Sequence, residues 1–177
     1  KNYLYLPEST RQWAGEITDM LINSGMSRTE MANTIAIFVR NSAGYDLNTQ
    51  KMPAGNSDFA QWFLTESDTG YCVHFATAAA VLLRAADIPA RYVTGYMTQV
   101  ESGKTVTVTA ADAHAWVEYY EPVLDMWIVL EATPASSTPE ATQSATQQTV
   151  PQAGSSPSTM PTQNSEEPTD APTQPSE

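Results

Sequence analysis

Apolar residues recur at helical spacing through the first half of the chain and at alternate positions after it, so the pattern predicts helices followed by an antiparallel sheet. Trp13, Ile17, Met20 and Leu21 stand three and four apart, with Ser9 or Thr10 as a cap and Gly25 as a stop. Ser27 followed by Glu30 has the spacing of a capping box, and Met31, Ile35, Phe38 and Val39 form the inner stripe of a second helix that ends before Gly44. A loop over 51–57 leads to a short third helix from Asp58 to Glu66, whose Phe59, Trp62 and Phe63 belong to the core. The run opened by Cys72 is apolar almost all round from residue 75 to 83, as a buried helix is. Its Ala76, Ala78, Ala79 and Ala80 suit close approach to a sheet, and Pro89 ends it near Asp87. From Arg91 the period becomes two, predicting strands over 91–98, 104–110, 113–120 and 126–132. Hairpin turns are expected at Glu101-Ser102-Gly103 and over Glu121 to Asp125. The fold class is α+β: N-terminal helices and a buried cysteine-bearing helix packed on an antiparallel β-sheet.

Composition divides the chain. Residues 135–177 contain no aromatic residue, no Lys and no Arg, and Val150 and Met160 are their only large apolar side chains. Such a segment cannot bury enough surface to offset backbone entropy, so a disordered Ser/Thr/Pro/Gln-rich acidic linker is expected over 135–177 and one domain over 1–134. Fifteen acidic residues against eight basic ones leave the domain at −7, and five further acids leave the tail at −5, of a formal −12. That balance opposes nucleic-acid binding. No stretch approaches the roughly 20 apolar residues of a membrane span, so membrane attachment is expected only through segments outside this chain. Stalks of the tail's composition commonly separate an extracytoplasmic domain from its anchor.

The lone cysteine stands where a helix begins. Unpaired N–H groups and the positive end of the helix dipole favour a thiolate there, which makes Cys72 a candidate nucleophile. Downstream, strand alternation puts His114, Trp116, Glu118 and Tyr120 on one face, and Trp127, Val129 and Glu131 on one face of the next strand. If Tyr120 pairs with Asp125 across a loop of Glu121 to Leu124, His114 lies directly opposite Glu131. Cys72 would then attack an acyl carbon, His114 would move the proton and Glu131 would orient the imidazole. The Cys72 backbone N–H is the natural oxyanion donor; a second donor is not visible, and Glu66 is left unassigned. Asp112, on the His114 face, is the reserve carboxylate, Trp116 is a packing residue that could wall the cleft, and His74 is structural. Two histidines without ligand spacing and a single cysteine make no zinc site, and no cofactor is called for.

These words resemble the transglutaminase-like superfamily of papain-type thiol enzymes: Gly70-Tyr71-Cys72-Val73-His74-Phe75-Ala76, the stretch from Leu83 through Ile88-Pro89-Ala90-Arg91 to Tyr96, Asp112-Ala113-His114-Ala115-Trp116-Val117-Glu118, and Trp127 to Pro134. The likeness extends from Tyr3 to Pro134 and is nearest to a bacterial branch whose domain lies outside the membrane, followed by a Pro-rich segment. It implies a papain/transglutaminase-like core with Cys72 as nucleophile and His114 as base. Two residues depart from the family pattern. Glu131 stands where an aspartate is usual, and Asp87 replaces the glycine before Ile-Pro-Ala-Arg, a position whose left-handed geometry aspartate tolerates.

The expected function is cysteine-dependent acyl transfer or hydrolysis at amide bonds of peptide or protein substrates, cell-wall or envelope material included, at the cell exterior. Whether an amine or water accepts the acyl group is not encoded in the triad. The alternatives are a catalytically silent peptide- or cell-wall-binding domain of a membrane protein, and a structural domain with a buried cysteine.

Overall fold

A computed structural model describes residues 2–56 and 58–135. The linker expected over 135–177 lies outside the described residues but for Ala135. Four helices and two small sheets follow in the order α1 (Glu8–Leu21), α2 (Arg28–Arg40), β1 (Gly44–Tyr45), α3 (Phe59–Glu66), β2 (Thr69–Gly70), α4 (Cys72–Ala85), β3 (Ala90–Tyr96), β4 (Ala113–Glu121) and β5 (Met126–Leu130). Short 3-10 turns occupy Asn2–Leu4 and Ala110–Asp112.

The apolar run of α4 makes it the central element: α1, α2 and α3 pack around it, and β3 and β4 lie against it. Phe75, Leu82 and Leu83 of α4 are fully buried with Ile35 and Val39 of α2, Phe63 of α3 and Val117 of β4. Each such side chain stabilises the fold by about 1.5–3 kcal/mol relative to exposure. At the N-terminal end of α4 the contact is made by small residues, Cys72 and Ala76 against Ala115 of β4. The α2 start is the expected capping box, with the Glu30 N–H donating to Ser27 Oγ and the Ser27 N–H to Glu30 Oε2. Asp58 caps α3, accepting from the N–H groups of Ala60 and Gln61.

The main sheet has the order β3-β4-β5, antiparallel throughout, and β1 pairs with β2 in a second, parallel pair. Ala115, Val117 and Tyr119 face the core, while His114, Trp116, Glu118 and Tyr120 occupy the other, partly exposed face. There Glu118 forms an ion pair with Arg91 at 2.5 Å, and the Arg91 guanidinium lies over Trp127.

Several expectations need correction. Neither Ser9 nor Thr10 caps α1, which starts after Pro7; Thr10 is buried, and its hydroxyl donates to Asp58 Oδ2 at 2.5 Å. Met20 is 77% exposed, because the buried stripe of α1 runs through Thr10, Ala14 and Thr18. A residue six places beyond Ala14 points about 240° around the helix from it. The turn at Ser102 and Gly103 forms, but residues 104–109 are exposed and make no strand. Alternating Thr and Val carry β propensity, yet with no surface to pack against that propensity has no effect. The β4–β5 register also differs by two residues: Tyr120 pairs with Trp127 and Glu118 with Val129, around a loop of Pro122 to Asp125. Asp125 has φ +51, a left-handed conformation that suits a short polar side chain at the strand entry.

Candidate active site

Cys72 is the first residue of α4, and Tyr71 is the cap before it, with extended backbone. The residue is 8% exposed. It lies in a cleft of about 620 Å³ whose walls include Tyr45, Tyr71, Gly95, Tyr96, His114 and Ala115. His114, near the start of β4, pairs with Gly95 of β3. The structure therefore brings Cys72 and His114 to one cleft; among the described residues no hydrogen bond joins the sulfur to the ring.

His114 Nε2 lies 2.6 Å from Glu131 Oε2. The contact is made, but not by direct opposition. A two-residue shift keeps every side chain on its face. Continuing the ladder one residue past β5 sets Glu131 opposite Trp116, diagonal to His114. A diagonal neighbour is within reach of a long side chain. Glu131 Oε1 accepts the Thr133 N–H at 2.8 Å, and Arg40 of α2 donates to the Glu131 carbonyl. Glu131 is thus held at its carboxylate and at its backbone. With Nε2 committed to Glu131, Nδ1 is the ring nitrogen left for the cleft.

Asp112 is not placed to share this role. It sits in the 3-10 turn before β4, and its carboxylate accepts the Thr109 N–H at 2.7 Å and the Thr109 hydroxyl at 2.9 Å. Those bonds hold its pKa below the usual carboxylate value. Trp116 does not line the cleft. Its indole stacks beside His114, with ring centroids 6.2 Å apart, and donates Nε1–H to Glu118. It fills the space that a side chain at Gly95 would need, since a Cβ there would lie 2.8 Å from Trp116 Cη2. His74 faces the interior among Phe59, Trp62, Phe63 and Tyr71.

Two contributors were not legible in the sequence. Burial first, and then the nearby Cys72 when charged, raise the phenol pKa of Tyr45, which lines the cleft. Tyr45 arrives by the β1–β2 pairing, in which it stands opposite Gly70. Two-residue strands leave no periodicity to read. Arg40 ends an ordinary helix, and its target lies 91 residues away.

The family model of the transglutaminase-like superfamily matches residues 12–132. The chain belongs to the transglutaminase-like superfamily. Within it, this chain is similar to a protein-glutamine gamma-glutamyltransferase of Pseudomonas aeruginosa, 42% identical over 87 residues, covering 48% of this chain and 13% of that protein. It is also 30% identical over 144 residues to the uncharacterised protein YebA of Bacillus subtilis, covering 77% of this chain and 19% of that protein. The solved periplasmic domain of TgpA from Pseudomonas aeruginosa, bound to ethylmercury, superimposes with a TM-score of 0.61 at 30% identity. The match covers 73% of this chain and 46% of that one. The chain thus spans less than a fifth of the curated relatives' lengths. The α+β architecture, with its cysteine helix against an antiparallel sheet, is the transglutaminase-like fold.

Proposed function

We propose that this domain performs thiol acyl transfer on amide groups of peptides or proteins, with Cys72, His114 and Glu131 as its triad. The observation that carries this reading is the 2.6 Å His114–Glu131 bond on the wall of the cleft that holds Cys72. Cys72 Sγ would attack the amide carbon as its proton passes to His114. The oxyanion would form at the Cys72 N–H, and the amine would leave with the proton held by His114. The resulting thioester would be released by an amine, giving a new amide, or by water, giving an acid. Similarity to a gamma-glutamyltransferase supports glutamine carboxamides as donors and an amine as acceptor. Likeness to a periplasmic domain supports a place outside the membrane, with envelope proteins or cell-wall peptides as substrates. Among the described residues no helix is long and apolar enough to cross a membrane.

The test is the pH profile of iodoacetamide alkylation at Cys72 in the wild type and in His114→Ala. Rapid alkylation at pH 6 in the wild type, lost in the variant, is the expected result. An ordinary alkaline profile in both would overturn the enzyme reading and favour a silent peptide-binding domain.

A further inference from the structure

His74 is a buried titratable group that the chemistry above leaves unused. It is 4% exposed and is the third residue of α4. Its ring is enclosed by Tyr71 at 4.6 Å, Phe59 at 4.9 Å, Phe63 at 5.4 Å and Trp62 at 6.2 Å between centroids. It makes two bonds to a single residue: Nδ1 accepts the Tyr71 N–H at 3.3 Å, and the His74 N–H donates to the Tyr71 carbonyl at 2.8 Å. The turn has no slack, since a Cβ on Gly70 would meet Phe63 Cε2 at 2.6 Å and His74 Cβ at 3.0 Å.

The Tyr71 carbonyl and the Cys72 N–H belong to one trans peptide plane and point in opposite directions. Tying the carbonyl down along α4 therefore aims the Cys72 N–H out of the helix start, where the helix offers it no carbonyl partner. The bond to the Tyr71 carbonyl is made by the backbone; what the His74 side chain adds is Nδ1, which holds the Tyr71 N–H and with it the preceding Gly70–Tyr71 plane, so that Tyr71 is fixed on both sides. We infer that His74 is a positioning residue: by bracketing Tyr71 it aims the Cys72 N–H at the oxyanion of an acyl group on Cys72. The inference rests on the thiol-acylation reading above. An accepting Nδ1 requires the neutral ring, with its proton on Nε2, and burial lowers the pKa of His74 accordingly.

Two variants separate aiming from packing. His74→Leu keeps bulk in the aromatic cage and removes the acceptor; His74→Asn removes the ring and keeps an acceptor, its Oδ1, in the place of Nδ1. Each is compared in the full chain by p-nitrophenyl acetate acylation of Cys72, which passes through an oxyanion, by iodoacetamide alkylation, which does not, and by thermal melting. His74→Leu is expected to lose about tenfold or more in acylation with alkylation nearly unchanged. His74→Asn is expected to recover most of the acylation while melting lower. Acylation that follows melting temperature across the variants, that falls together with alkylation, or that stays at the wild-type rate in His74→Leu would overturn the inference. If His74→Leu does not fold, His74→Phe serves the same comparison. A wild-type thiol that does not acylate, or acylation that persists in Cys72→Ala, would instead overturn the thiol reading itself.

Discussion

Glu131 shows how one methylene can be matched to a register. From a position diagonal to His114, its carboxylate closes the gap to Nε2 while its other oxygen takes the Thr133 N–H. An aspartate there falls short unless the chain after β5 moves, and Arg40 holds that chain by the Glu131 carbonyl. Glu131→Asp is therefore expected to slow Cys72 acylation about 10- to 100-fold, the scale of loss for a misplacement of about 1 Å. The rate of p-nitrophenol release checks it, and a wild-type rate would mean that the segment shifts to carry the shorter acid. At this scale Cys72, His114 and Glu131 were legible, because helix start and strand parity follow from local pattern. Arg40 and Tyr45 were not, since each reaches the site through long-range packing.

Among the elements, α1 and α3 are joined by Asp58. Its carboxylate caps α3 and also accepts from the Thr10 hydroxyl and the Trp13 indole of α1. Burial would raise its pKa, but these donors outweigh burial and hold it below 3.8. Asp58→Ala removes the cap and leaves partly buried donors unpaired, so a loss of about 1–3 kcal/mol in unfolding free energy is expected from denaturant titration. The element pattern was readable wherever it was long: α2 with its capping box, α4 and β4 lie where periodicity puts them. It failed over 104–110, where strand-forming residues meet no partner surface, and at β1 and β2, which are too short to show a period.

For the molecule as a whole, His74 couples folding to pH. Burial holds its folded pKa below the ordinary value of 6.5, so the folded state binds this proton less readily than the unfolded chain. The contribution is present above pH 6.5 and is lost as pH falls from there through the lowered folded value. Melting temperature is expected to decline across that window in the wild type, and this part of the decline to disappear in His74→Asn. An unchanged acid limb in the variant would show that other groups carry it. The carboxylate of Asp58 acts at lower pH, its contribution being lost as pH falls below 3.8, so the two limbs separate in a pH series of melts.

The sequence by itself determined the order of the four helices and of β3, β4 and β5, the buried character of α4, the cysteine at its start and the common face of His114 and Glu131. Each of these depends on local periodicity or on residue type. Tertiary structure decided the β4–β5 register, the diagonal reach of Glu131, the bonding of Asp112 to its own turn and the enclosure of His74. A two-residue slip preserves every face, so the hydrophobic pattern cannot distinguish the two registers; the loop that closes and the side chains that pack select between them.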